Sequence, residues 1–178
     1  MADSYTIGGK WLEDLTAEIT GSDRACAVLA GAVLDDRIKS LLFSYLLPPM
    51  NEKEDRLLGR SGTIESFSSR IELAYRSALI SIEVRRALDW VRDIRNYAAH
   101  EQGFMFENDQ IKDRVANIIG ALQNIEKLPL KTLADHYGDT SKGKFVASVV
   151  ILSFVLEFEA RESGRTRHQP NLLRELKE

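Results

Sequence analysis

One cysteine, three histidines and four prolines are all that 178 residues hold of those types, and each scarcity closes off a class of protein. With Cys26 alone no intramolecular disulfide can form. Its neighbours Ala25, Ala27, Val28 and Leu29 mark it as a core thiol, and a reducing cytoplasm is the expected setting. His136 and His168 fall in an expected loop and tail, with no cysteine, histidine or carboxylate at ligand spacing, so no metal and no cofactor is expected. The longest apolar run, Phe145 to Leu156, falls short of the roughly twenty residues a membrane helix requires. Residues 1–10 show no basic stretch followed by an apolar core, so neither a secretory leader nor a membrane span is expected. Positive charge is not in excess either: 24 Lys and Arg stand against 27 Asp and Glu, a net charge of -3. A chain that grips duplex DNA unaided usually carries a basic face. Tight direct DNA binding is therefore not expected.

What is present is a helical pattern. An apolar share of 44% with 29% charged residues is that of a soluble globular chain, and this length suits one domain with its own core. Ser22-Asp23 has the chemistry of a helix start, because short oxygen-bearing side chains accept from the free amides of the first turn. The helix that follows is expected to reach about Leu46, with Ala30, Leu34, Ile38, Leu41, Leu42 and Tyr45 on one face, and Pro48-Pro49 ends it. A short helix over Gly9 to Ile19, anchored by Trp11 and Leu15, precedes it.

Asn51 to Leu58 has a short helical look, and Gly59-Arg60-Ser61-Gly62 reads as a turn, lacking the Gly-Lys-Ser ending of a phosphate loop. A helix beginning near Ser66 turns Phe67, Ile71, Ala74, Ala78 and Leu79 inward. Ser81 caps the next, which carries Ala87, Val91, Ile94 and Ala98 at i, i+4, i+7, i+11 up to about Ala99. Asn108-Asp109 opens a helix to about Asn124, with Ile111, Val115, Ile118, Ile119 and Leu122 inward. Pro129 to His136 suggests a short helix and Tyr137 to Gly143 a loop. Lys144 to Arg161 is long enough to favour helix despite Val149-Val150-Ile151, and its apolar density predicts a central element buried nearly all round. The expectation is an all-α, single-domain bundle of about six to eight helices. It comprises an N-terminal segment (1–19), a helical domain (20–162) and a mobile tail (163–178).

Chemistry concentrates in Arg95-Asn96-Tyr97-Ala98-Ala99-His100. Arginine presents a planar fork to a phosphate or carboxylate, and histidine exchanges protons near neutral pH. At about 100° per residue, Arg95 lies at the edge of the apolar stripe while Asp89, Asp93, Asn96 and His100 share the opposite face, so Arg95 and His100 point about 140° apart on an unbroken helix. They converge only if the helix relaxes near His100 or a second copy supplies one of them. A purely structural role is the competing expectation: Arg95 pairs with Glu72 or another carboxylate of the neighbouring helix, and His100 bonds carbonyls at the helix end, where the dipole favours a cation. Arg85, Arg86 and Arg92 alternate with Glu83, Asp89 and Asp93, the pattern of a solvated mixed face. Trp90 sits toward the edge of the apolar arc, where it serves the core or a dimer interface.

The segments Ser66-Phe67-Ser68-Ser69-Arg70-Ile71-Glu72-Leu73-Ala74-Tyr75, Leu79-Ile80 and Ile94 to His100, with upstream Ser22-Asp23-Arg24-Ala25 and the late apolar helix, resemble the mannitol operon repressor family over most of residues 20 to 160. Where members of that family usually carry a bulkier aromatic residue, this chain has Ala98. The resemblance implies an all-helical regulator acting through an unknown protein partner, with Arg70, Glu72, Tyr75, Trp90, Arg95 and His100 as its structural or partner-binding motif. Arg95, Asn96 and His100 are also similar to the signature of HEPN domains. That likeness implies a metal-independent ribonuclease in which two chains form one cleft: Arg95 stabilises the phosphorane, His100 exchanges protons and Asn96 orients the phosphate. Of the two, the regulatory or interaction module, working as a homodimer in the cytoplasm, is the primary expectation. The RNA-cleaving enzyme is the alternative.

Overall fold

Four of the described helices begin where the sequence supplies a short oxygen acceptor. A computed structural model describes residues 17, 21–49, 55–59, 62–125 and 135–166. Helix α1 spans Asp23–Tyr45, and its N-cap Ser22 accepts from the Ala25 amide. Helix α2 (Phe67–Arg76) is capped by Ser66, α3 (Ile82–His100) by Ser81 and α4 (Asp109–Gln123) by Asn108, each through its side-chain oxygen. Helix α5 covers Ser141–Thr166. Residues 17 and 135–137 are helical as well, and no strand occurs among the described residues.

Helix α5 is the axle of the bundle. From Phe145 to Ser153 every residue is buried, and the helix packs against α1, α4 and α3. An all-round apolar helix can stay in water only if its neighbours cover it. Its two buried hydroxyls need partners, and each finds one a turn back: Ser148 donates to the Lys144 carbonyl and Ser153 to the Val149 carbonyl, both at 2.8 Å. Helix α3 lies between α1 and α4, with Ala87, Leu88, Val91, Ile94 and Ala98 fully buried. At its C-terminal end the core is aromatic, through successive ring contacts Tyr97 to Phe104 to Phe106 to Phe145. Ala98 itself is fully buried, so the bulk at this end comes from these rings. Cys26 is a buried core thiol, and one continuous core makes this an all-α single domain.

Several expectations shift. Tyr45 is 44% exposed, because the helix ends there and no neighbour covers its last turn. Ala78 is not an inward helical residue: α2 stops at Arg76, and Ala78 turns the chain with φ 57. Its amide donates to the Tyr75 carbonyl and the Leu79 amide to the Ala74 carbonyl, the double bond that closes helices when the next residue is left-handed. Tyr137 is helical, and α5 starts three residues before the expected Lys144, with the Thr140 hydroxyl accepting from the Gly143 amide. It also continues past Arg161 to Thr166. Asp55 to Gly59 forms a turn in which the Asp55 carboxylate accepts from the Leu57 and Leu58 amides. The short helix with Trp11 and Leu15 lies outside the described residues apart from residue 17, as do 129–134 of the Pro129–His136 segment and the chain beyond residue 166.

Candidate functional site

The motif occupies the last two turns of α3, and the helix stays regular through His100; Glu101 then becomes extended, and its amide donates to the Tyr97 carbonyl. The relaxation that would bring Arg95 and His100 together therefore does not occur within one chain, and their side chains leave the helix about 140° apart. Arg95 and His100 are exposed and Asn96 is half-buried. Arg95 Nη1 donates to Asn96 Oδ1 at 2.9 Å, which uses one of the five guanidinium donors. His100 makes no hydrogen bond or ion pair among the described residues.

The stem of Arg95 is anchored by a residue the sequence did not single out. Gly31, buried on α1, faces it so closely that a Cβ there would lie 2.5 Å from Arg95 Cγ and 2.9 Å from its Cβ. The stem therefore lies on the α1 backbone while the guanidinium reaches solvent, a division long basic side chains allow. Exposed Ala32, Val28 and Ala99 belong to the same two helices. Arg24 of α1 donates to the carbonyl of Glu101, so an arginine rather than His100 serves that end of α3. Nearby, Asp23 accepts from the Phe106 amide at 2.8 Å and pairs with Lys142 at 3.1 Å, tying α1 to the loop after α3 and to α5.

The expected Arg95–Glu72 pair is not formed. Glu72 pairs with Arg85 at 2.9 Å, ten residues earlier on α3 and about 15 Å away along the axis; Arg95 faces α1, whereas Glu72 belongs to α2. Arg70 is buried and held at two points: Nη1 meets Asp35 of α1 at 2.6 Å, and Nε donates to the Ile64 carbonyl at 3.2 Å. Tyr75 is half-buried beneath the Arg85 guanidinium, 4.7 Å from its ring centroid. Trp90 packs, partly buried, against the core. Arg70 thus ties α2 to α1, and Glu72 and Tyr75 tie α2 to α3 through Arg85. Arg85 and Arg92 do form the mixed face, through Asp89, Asp93 and Ser68. Burial pushes the Asp89 carboxyl above the usual range, against the pull of Arg92 and Arg85; Asp93 and Glu72 add to the rise.

One further cation stands out. Arg114 of α4 lies over the Tyr97 ring, 5.2 Å from its centroid, and its buried Nη1 has no hydrogen-bond partner; the ring face stands in for one. His136 is exposed and stacks edge-on with Tyr137. No group of three or more His, Cys, Asp or Glu suited to a metal occurs among the described residues, and no described helix is long and apolar enough to cross a membrane. The motif surface thus offers a guanidinium with most of its donors free, a neighbouring amide and, on another face, an exposed imidazole. That arrangement can hold an anionic group from a partner, and one chain alone does not converge Arg95 and His100 on a single atom.

No protein-family model matches the sequence, and no curated protein matches it significantly. Two solved structures share its fold. One is a chain from the X-ray structure of the MtlR–HPr complex from Escherichia coli, with TM-score 0.57 and 15% identity over 83% of this chain and 99% of that one. The other is a possible transcriptional regulator, YggD, from Shigella flexneri, with TM-score 0.54 and 18% identity over 85% of this chain and 95% of that one. At such identities the likeness speaks for architecture alone: the chain has an MtlR-like all-helical fold.

Proposed function

We propose that this chain is a regulatory module that acts by binding another protein, presents the C-terminal half of α3 from a homodimer, and does not grip DNA tightly on its own. The observation that carries the proposal is the fold shared, over 83% of this chain and 99% of the other, with a chain solved in the MtlR–HPr complex. Two features support it. The net charge of -3 disfavours unassisted DNA binding, and Arg95 has no carboxylate partner among the described residues, which leaves its fork open to a partner's carboxylate or phosphate. The flanking small side chains Ala32 and Ala99 leave that fork accessible.

Titration calorimetry against HPr tests this directly. Arg95→Met keeps an aliphatic stem over Gly31 and removes only the fork, so it should weaken binding about tenfold, the usual worth of a charge-assisted contact. An absence of binding to HPr, or an Arg95→Met variant that binds like wild type, counts against the proposal. A monomer in analytical ultracentrifugation removes the dimer from it, and salt-sensitive, sub-micromolar affinity for a defined operator removes the exclusion of DNA.

The second reading is a metal-independent ribonuclease built from two chains. It draws on the exposure of both Arg95 and His100, which leaves each able to reach a phosphodiester. Cleavage of labelled RNA in excess chelator, lost in both Arg95→Ala and His100→Ala with folding intact, establishes it. Intact RNA across varied substrates eliminates it.

A further inference from the structure

On the side of the bundle where α2 turns into α3, a cleft of about 600 Å³ is lined by Tyr75, Arg76, Ala78, Leu79, Ile80, Ser81 and Glu159. It combines two opposite charges that do not meet. Arg76 is exposed and Glu159 half-buried, and neither forms an ion pair or a hydrogen bond among the described residues. They stand on different helices, α2 and α5, and the lining mixes polar and apolar surface, with Leu79 and Ile80 supplying aliphatic carbon.

The wall is also preformed. Hydrogen bonds from the Ala78 and Leu79 amides to the Tyr75 and Ala74 carbonyls hold the turn, the Arg85 guanidinium lies over the Tyr75 ring, and Ile80 is 6% exposed and rooted in the core. Binding there would require little ordering of the protein, the condition under which a few contacts give measurable affinity. Glu159 stands in surroundings unfavourable to its charge: burial, and then repulsion from Glu162, push its carboxyl above the usual range. A cation brought to it counters the repulsion from Glu162 and compensates the charge for its lost hydration. A lone cation would leave Arg76 unmatched, and a lone anion would leave Glu159 so.

We infer that this cleft is a binding site for a small zwitterion, an amino acid or short peptide whose ammonium group meets Glu159 and whose carboxylate meets Arg76, with its carbon chain over Leu79 and Ile80. Ser81, the N-cap of α3, lines the same cleft. This site is separate from the α3 C-terminus and does not depend on the proposed partner binding; a ligand there contacts the turn from which the motif helix starts.

The full chain is titrated calorimetrically with glycine, γ-aminobutyrate, ε-aminocaproate, diglycine and triglycine, with butylamine and butyrate as single-charge controls. At least one zwitterion should bind saturably and about tenfold more tightly than either control, as expected for one additional charge-assisted contact. Arg76→Gln and Glu159→Gln should each lose about that factor, whereas Lys112→Gln, on α4, should not. Tightest binding by triglycine identifies a peptide ligand, and by a single amino acid a metabolite. In the wild-type protein, which is free of any folding defect, amide chemical-shift changes should centre on residues 75–81 and 159. No saturable binding by any zwitterion, controls that bind equally well, retained affinity in both variants, or shifts centred elsewhere would each overturn the assignment.

Discussion

Replacing Gly31 by alanine tests whether the Arg95 stem is seated as described. Gly31 is buried in α1, and an alanine methyl would sit 2.5 Å from Arg95 Cγ, 2.9 Å from its Cβ and 3.5 Å from its Cδ. Two effects oppose each other. Alanine is favoured over glycine in a helix interior by about 1 kcal/mol, while overpacking a tight contact costs about 1–3 kcal/mol. The Cγ can swing away on χ1, but the Cβ is fixed to the α3 backbone, so the helices must separate slightly and packing should win by about 1 kcal/mol. That corresponds to a fall in Tm of about 2–4 °C for a chain of this size. The decisive quantity is the coupling. In an Arg95→Gly background both the Cβ and the Cγ conflicts disappear, so Gly31→Ala should become neutral or stabilising, a double-mutant interaction of about 1–2 kcal/mol. Gly120 supplies the control: it lies in α4, exposed, with nothing within 4 Å of a Cβ placed there, and Gly120→Ala should gain about 0.5–1 kcal/mol from propensity alone. Urea unfolding followed by far-UV circular dichroism gives all of these values. If Gly31→Ala stabilises as much as Gly120→Ala, and by the same amount with and without the Arg95 side chain, the close approach of α1 and α3 at this point is wrong.

At the α2–α3 turn, Ala78→Gly should stabilise the protein by about 0.5–1 kcal/mol, because φ 57 is costly for alanine and free for glycine; a fall in Tm would refute the turn geometry. Arg70→Ala should destabilise by about 2 kcal/mol, since it removes a buried hydrogen-bonded cation that ties α2 to Asp35 of α1, and Asp35→Asn by roughly half that because Asp35 is partly exposed; chemical denaturation that finds both neutral would place the pair at a solvated surface. Glu159 sets a pH dependence. Its carboxyl is raised in the folded state above the ordinary 4.5, first by burial and then by Glu162, so the native chain binds the proton more readily than the unfolded one and the penalty of the charged form fades as pH falls toward that value. Glu159→Gln should therefore raise Tm at pH 7, with the advantage shrinking as the pH is lowered through the carboxylate range; a constant difference across pH would refute the sign.

The helices were legible because their determinants are local. Ser22, Ser66, Ser81 and Asn108 each fill the N-cap they suggested in sequence, and the stripe Ala87, Val91, Ile94, Ala98 is buried along α3 as its spacing requires. Even the β-branched run of α5 folds as helix, since burial on all sides outweighs the small propensity cost of valine and isoleucine. The misplacements share one cause. Tyr45 and Ala78 fit the period of their helices, but the helices end before a neighbour can cover them, and where a helix ends depends on what packs on it. Nothing in the composition of Ser77-Ala78-Leu79 signals a left-handed residue, because the usual marker, glycine, is absent there.

The candidate site was legible in its residues and opaque in its partners. Helical geometry alone separates Arg95 from His100, and the regular end of α3 leaves that separation standing. Partners come from other helices, at sequence distances no period reaches. Asp35 stands 35 positions before Arg70, Arg24 lies 77 before the carbonyl it serves, and Gly31 faces Arg95 from the opposite helix. The last two follow from one topological fact, that α1 runs antiparallel to α3, with Arg24 beside its C-terminal end and Gly31 beside Arg95 further along. That alignment also explains why Arg95 divides into a packed stem and a free tip. Gly31 admits the stem and no other residue would do so without parting the helices, while the acidic residues of the mixed face, Asp89 and Asp93, are already held by Arg85 and Arg92. Arg95 is left without a carboxylate among the described residues because Asp89 and Asp93 leave α3 on the opposite face, so its guanidinium keeps the capacity to hold an anionic group.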